Sequence, residues 1–401
     1  MLKAIRKDGT PFQLLPRHAK EVLRKEKSDN EFFCPECKEK VTMKIGSQRI
    51  EHFAHQAGSR CLESYERESQ YHLNGKLQLY EWLESQRLQP LLEPYYENIK
   101  QRPDISVHFS QREYAIEYQC STIPTELIVK RTTSFLKGKM ACIWVMGGNN
   151  IKRKGEKKVC LSNFHYLFLH KSPSGIWYLP SYCPTMKMFI FLMNIVPTTS
   201  KNALTHFLFL PLQRCTLKQL LNPYRSTRFN AGDWRKEIDA QKLSIQMNSR
   251  YQYEFINELY ANGVNISLLP PFVGLPISDA PMFETSPLIW QSYLFIDLFN
   301  RKKANETLTF SEVYRLITTR VQKGQIKTRN FPFVSNGSMT LPLAQYLQLL
   351  VQFQVLEKIN QNTFRVKKDI TLPEHFVEKQ NREDQFYKEY HHLFFQDKSD
   401  I

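Results

Sequence analysis

No apolar run in this sequence is long enough to cross a membrane. The most apolar stretch, Met188-Phe189-Ile190-Phe191-Leu192-Met193-Asn194-Ile195-Val196, is about half of the roughly 20 residues a spanning helix requires, and it reads as a buried helix. A secretory leader is missing too, because Met1-Leu2-Lys3-Ala4-Ile5-Arg6-Lys7-Asp8 carries charge where a signal keeps its apolar core; a cytoplasmic protein is the expectation. No Walker-type phosphate loop is present, which argues against an ATP-driven motor. Acidic residues are scarce beside basic ones. The 39 Asp and Glu against 55 Lys and Arg leave a formal charge of +16, an excess that attracts polyanions, of which nucleic acid is the commonest soluble one. There is no internal repeat and no low-complexity tract, and 401 residues exceed what one hydrophobic core usually serves, so two or three domains are expected.

Eight cysteines in an apparently intracellular chain of this length do not suggest a disulfide framework. Two of them lie at ligand spacing. Cys34-Pro35-Glu36-Cys37 is followed by His52-Phe53-Ala54-His55, with Cys61 a little beyond. Cys34, Cys37, His52 and His55 offer four ligands able to close a tetrahedral zinc site. His-x2-His is tighter than the usual spacer, so Cys61 is an alternative to one of the histidines. Before this cluster, Asp8-Gly9 between Leu2–Ile5 and Phe12–Leu15 predicts a hairpin, and a charged helix is expected from Ala19 to Lys27.

The densest chemistry lies further on. Arg102-Pro103-Asp104-Ile105-Ser106-Val107 and Tyr114-Ala115-Ile116-Glu117-Tyr118-Gln119-Cys120-Ser121 read as two strands joined by a polar turn. Strand alternation puts Ala115, Glu117 and Gln119 on one face, and Ile116, Tyr118 and Cys120 on the other. Carboxylates are rarely kept in a buried sheet without a partner, and a divalent metal supplies one. Asp104 and Glu117 can both offer hard oxygen ligands to Mg²⁺ or Mn²⁺, which retains waters for nucleophile and phosphate. Upstream, Leu73, Leu77, Tyr80 and Leu83 mark a helix over roughly Glu63 to Gln86, with Glu68, His72 and Lys76 at four-residue intervals beside that stripe.

These residues resemble a known family. Pro103-Asp104 followed by Glu117-Tyr118-Gln119 is similar to the PD-(D/E)xK nuclease core, in the variant with Gln in place of Lys. Glu68-Ser69-Gln70-Tyr71-His72-Leu73-Asn74-Gly75-Lys76 resembles the Glu-Ser-x-x-His-x-x-x-Lys helix that precedes that core in the CoiA competence proteins. The resemblance covers about residues 1 to 180. It implies Glu68 as a third acidic ligand or metal-water contact, His72 or Lys76 as phosphate-facing helpers with His72 equally a partner of Glu68, Gln119 as a residue that orients water or binds metal through its oxygen, and Arg131 at the position after the active strand, on phosphate or in a local pair. Lys76 would supply from the helix the charge that Gln119 lacks. A DNA nuclease of natural competence is the implied function, acting on single-stranded or branched DNA beside the recombinase and other competence proteins. A non-catalytic DNA-binding accessory factor on the same fold is the alternative, and a zinc-stabilised RNA-binding protein ranks behind both.

The remaining elements complete an α/β reading. Leu91–Lys100 is expected as a first strand, Thr125–Leu136 as a helix and Met140–Met146 as a strand, giving a sandwich on one mixed sheet. The expected domains are a zinc-binding β module (1–62), a PD-(D/E)xK nuclease-like α/β sandwich (63–181) and a mostly α-helical C-terminal domain (182–401). Lys152, Arg153, Lys154, Lys157 and Lys158 form a basic loop that either is solvated or tracks a DNA backbone. Helices are expected over Trp234–Gln246, Tyr251–Ala261, Leu288–Asn300, Ser311–Val321 and Leu341–Phe353, with a hairpin-like wing after the last. That order resembles a winged helix, though ordinary helical packing is the favoured reading.

Overall fold

A computed structural model describes every residue except 47–48, 57, 60, 62–67, 225–228, 249–251, 332–338 and 395–401. Gly9, at φ 87°, takes the left-handed turn that folds β1 (Lys3–Arg6) onto β2 (Pro11–Gln13). After helix α1 (Lys20–Asp29), strands β3 (Phe32–Phe33), β4 (Lys40–Lys44) and β5 (His52–His55) complete an antiparallel sheet in the order β2-β1-β3-β4-β5. Period-2 alternation sends Ala4, Phe12, Phe32, Val41, Met43 and Phe53 inward. Phe32 and Phe53 pack with their rings tilted, 5.0 Å between centres.

The helix expected from Glu63 runs as α2 (Gln70–Ser85); 62–67 lie outside the described residues. Ser69 caps it by accepting the His72 amide, 3.2 Å. Leu73, Leu77, Tyr80 and Leu83 are buried, as their spacing required. Gly75 permits a close approach here: a Cβ at that position would stand 2.0 Å from the ring of Tyr118.

The central sheet is larger than expected. Ten strands take part: β6 (Leu91–Leu92), β7 (Ile105–Phe109), β8 (Arg112–Gln119), β9 (Ala141–Gly147), β10 (Lys152–Arg153), β11 (Lys158–Cys160), β12 (His170–Lys171), β13 (Trp177–Cys183), β14 (Met188–Pro197) and β15 (Asn202–Pro211). Their order is β10-β11-β15-β14-β13-β9-β8-β7-β6, with β12 against β13. The β8–β9 and β9–β13 pairs are parallel. Helix α3 (Thr125–Lys137) supplies the crossover from β8 to β9, and the short α4 (Asn163–Tyr166) precedes β12. The expected first strand is only two residues long, followed by a turn closed by a Tyr96–Gln101 bridge.

The apolar run at Met188 is strand β14, not a helix, and β13 crosses the expected boundary at residue 182. A short apolar run buried on both faces carries no period, and its Phe, Ile and Val content favours a strand. β14 lies between β13 and β15, and Phe189, Phe191, Leu192 and Met193 are fully buried.

The C-terminal region is helical, as expected: α5 (Leu217–Leu221), α6 (Ala231–Met247), α7 (Tyr253–Ala261), α8 (Pro287–Asp297), α9 (Phe310–Gln322), α10 (Thr340–Gln352) and α11 (Phe376–Tyr390). Strands β16 (Thr307–Thr309), β17 (Leu356–Lys358) and β18 (Thr363–Val366) pair in the order β16-β18-β17 around α9 and α10, a winged-helix-like order of elements. The helix that such a unit would offer to DNA carries no Lys or Arg. Instead, Gln345 of α10 binds buried Asp279 through both its amide nitrogen and its oxygen, so this unit packs inward. Among the described residues no helix is long and apolar enough to cross a membrane.

Candidate functional site

Strand period and helix period together determine which polar groups meet at the end of β7 and β8. Ile105 pairs with Ile116, which puts Asp104 just outside β7 beside Glu117 and Tyr118. Asp104 turns towards α2, where its Oδ2 accepts the Tyr118 amide at 2.9 Å and its Oδ1 lies 2.8 Å from Lys76 Nζ. Glu68, His72 and Asp104 each bring one ligand atom into a group whose members lie within 4.8 Å of one another. His72 Nε2 is 3.6 Å from Asp104 Oδ2, too far for a hydrogen bond, and among the described residues it is buried without a hydrogen-bond partner. Two carboxylates converging on an otherwise unsatisfied imidazole nitrogen form a hard-to-borderline donor set that fits a divalent ion.

Lys76 is enclosed by carboxylates. Its side chain is 2% exposed, and the ammonium is bound by Glu68, by Glu93 at 2.7 Å and by Asp104 at 2.8 Å. Burial alone would lower its pKa, but the charges of Asp104, Glu68 and Glu93 hold it well above the usual lysine value. Burial likewise opposes ionisation of Asp104, and Lys76 and His72 outweigh it, leaving the carboxyl below its ordinary range. Glu68 is depressed in the same way by Lys76, the Met1 ammonium and His72 against its own burial. Met1 pairs with Glu68 directly.

Glu93 is the residue that sequence reading missed. It is 1% exposed, and its Oε2 accepts the amides of Leu2 (2.8 Å) and Lys3 (3.1 Å) while Oε1 takes Lys76. Its amide in turn donates to the Asp104 carbonyl. The backbone at Glu93 has φ 45°, although Pro94 follows; a non-glycine residue held there is strained by about 1–3 kcal/mol, and such positions gather at functional sites. That Leu92-Glu93-Pro94 puts a carboxylate between an apolar residue and a proline was the available signal.

Glu117 is paired away from Asp104. Alternation along β8 turns it towards α3, where Arg131 Nη2 takes both of its oxygens at 2.7 and 2.8 Å. Arg131 also donates to the Arg102 carbonyl, so of its two expected roles the local pairing is the one seen in this structure. Gln119 is 5% exposed and donates its amide to the Ser121 carbonyl and hydroxyl. Glu68, His72, Asp104, Glu117, Gln119 and Arg131 nevertheless all line one cleft of about 890 Å³, walled on its far side by β5 of the N-terminal sheet.

A second donor group closes that sheet. The sulfurs of Cys34, Cys37 and Cys61 and a ring nitrogen of His55 lie within 4.8 Å of one another. His55 Nε2 stands 3.5 Å from Cys37 Sγ. His52 points elsewhere, with Nδ1 2.9 Å from the Ile50 carbonyl. Of the two sets the spacing allowed, the one with Cys61 is assembled, because neighbours three apart on a strand face opposite ways. Three thiols and an imidazole suit a metal such as zinc.

The basic loop lies at the other edge of the central sheet. Lys157 pairs with Asp233 (2.8 Å) and Lys158 with Glu237 (2.6 Å), both on α6. Arg153 stacks over Phe207 at 4.9 Å, and neither Lys152 nor Lys154 lines the cleft. A loop in sequence proximity to the core is thus separated from it by the strands between β11 and β8.

Three models of competence protein CoiA match the chain in order: the N-terminal domain over residues 15–64, the nuclease-like domain over 68–225 and the C-terminal domain over 233–379. The chain belongs to the CoiA family. Competence protein CoiA of Bacillus subtilis (strain 168) is 28% identical over 358 residues, which are 88% of this chain and 93% of that protein. No solved structure matches. The family's N-terminal match contains the whole Cys/His group, and its nuclease-like match opens on Glu68 and extends through β14 and β15.

Proposed function

We propose that this protein is a divalent-metal-dependent DNA nuclease of the cytoplasm, acting on single-stranded or branched DNA during natural competence, beside the recombinase. The observation that carries the reading is the buried His72 Nε2, without a hydrogen-bond partner among the described residues, in a cleft it shares with Glu68 and Asp104. Mg²⁺ or Mn²⁺ held there by Glu68, His72 and Asp104 would polarise a phosphoryl oxygen and lower the pKa of a bound water. Lys76 binds one oxygen of each carboxylate and keeps both ionised at neutral pH. Gln119 orients water without contributing charge, and Glu117 with Arg131 braces β8 against α3. Zinc on Cys34, Cys37, His55 and Cys61 is structural, since four protein ligands leave no open position.

A second reading is favoured by a specific observation. Protein cations already neutralise the acidic groups, with Lys76 on Glu68, Glu93 and Asp104, and Arg131 on Glu117. A DNA-binding accessory factor that supports the recombinase without cutting needs no more. The two readings separate in a cleavage assay with Mn²⁺ on single-stranded, duplex and branched DNA. Cleavage lost in Asp104→Asn and His72→Ala supports the nuclease. Binding without cleavage of any substrate supports the accessory factor.

A further inference from the structure

The basic loop, expected either to be solvated or to track DNA, lies at the other edge of the sheet, and the cleft has cations of its own. Three exposed basic side chains line it from three separate elements: Arg49 just before β5, Lys100 in the turn between β6 and β7, and Lys130 on α3. Among the described residues none of the three forms an ion pair. The deeper cations, Lys76 and Arg131, are already paired with carboxylates. Tyr95 lines the same wall, half-buried and with no aromatic partner among the described residues.

We infer that this cleft binds one strand of DNA, with Arg49, Lys100 and Lys130 each holding a phosphate and Tyr95 stacking on a base, so that the N-terminal metal-binding module is one jaw of the DNA site. Unpaired cations spaced around a groove with an aromatic platform are the two elements by which proteins hold single strands without reading sequence. The stacking platform selects the strand form, because a base inside a duplex is already paired and stacked and cannot lie on Tyr95. The Cys/His group then has a role beyond stability, because its His55 ends β5, the strand that walls the cleft. The inference rests on the reading of this cleft as a DNA site, but its test involves no cleavage.

The test is fluorescence anisotropy of a labelled 15-nucleotide strand with the full-length, zinc-loaded protein, without Mg²⁺ or Mn²⁺, over a series of NaCl concentrations. Each phosphate contact on a single strand contributes about 0.7 to the slope of log K against log salt, so the Arg49→Ala/Lys100→Ala/Lys130→Ala variant should lose about 2 from that slope. Tyr95→Ala should weaken binding about tenfold, with Tyr95→Phe unchanged. Lys152→Ala/Lys154→Ala should leave both slope and affinity as they are. An unaltered slope in the triple variant overturns the inference, as does tighter binding of duplex, or of an RNA strand, than of the DNA strand at equal length. Because binding is read without a catalytic metal, an inactive enzyme that still binds a strand refutes the nuclease reading alone.

Discussion

Lys76 Nζ lies 2.8 Å from Asp104 Oδ1 in a site where the lysine is 2% exposed, and the same ammonium bridges Glu68 and Glu93. One buried cation thus pairs with three carboxylates at once and, with His72, holds Asp104 and Glu68 below their ordinary range against their burial. Removing one partner from a buried ion network leaves uncompensated charge and costs about 3–5 kcal/mol, so Lys76→Met should lower stability by that amount in urea unfolding.

The pH dependence follows with a definite sign. Asp104 and Glu68 titrate below their ordinary range in the folded protein, so their contribution is complete above about pH 4 and is lost as pH falls through the depressed values. The stability gap between wild type and Lys76→Met should therefore be widest near neutrality and narrow on acidification. A gap that widens as pH falls from 7 to 4 would show that Lys76 does not hold these carboxylates ionised.

Cys61→Ser and His55→Ala should each abolish stoichiometric zinc measured by inductively coupled plasma mass spectrometry, while His52→Ala retains it. Only the first two remove a member of the assembled donor group. Zinc lost in His52→Ala and kept in Cys61→Ser would restore the other ligand set.

Gly75 is a packing constraint on the helix that carries His72 and Lys76. A methyl group there would meet the Tyr118 ring at 2.0 Å, and that ring is 1% exposed and cannot move aside. Gly75→Ala should cost about 1–3 kcal/mol, and by displacing α2 it should also weaken metal binding at His72. Unchanged thermal unfolding in this variant would contradict the packing of α2 against β8.

Much of this was legible in the chain. The Pro103-Asp104 and Glu117-Tyr118-Gln119 strands, the stripe on α2 and the Cys34/Cys37 pair all follow from local period and spacing, which need no tertiary information. What was not legible depended on which face meets which neighbour. Glu117 was expected beside Asp104, and alternation along β8 took it instead to Arg131 on α3. Glu93 carries no motif, and its importance comes from reaching Leu2, Lys3 and Lys76 from a turn. β14 was hidden because burial on both faces removes the alternation that marks a strand. Lys157 and Lys158 looked free until α6 brought Asp233 and Glu237 to them.

The most direct test of the account is electron spin echo envelope modulation of the zinc-loaded protein titrated with Mn²⁺. The site built from Glu68, His72 and Asp104 predicts one Mn²⁺ per chain with nitrogen modulation from a single imidazole, abolished in His72→Ala and lost with the ion in Asp104→Asn. Failure to bind Mn²⁺, or a bound ion with no nitrogen coupling, would contradict it.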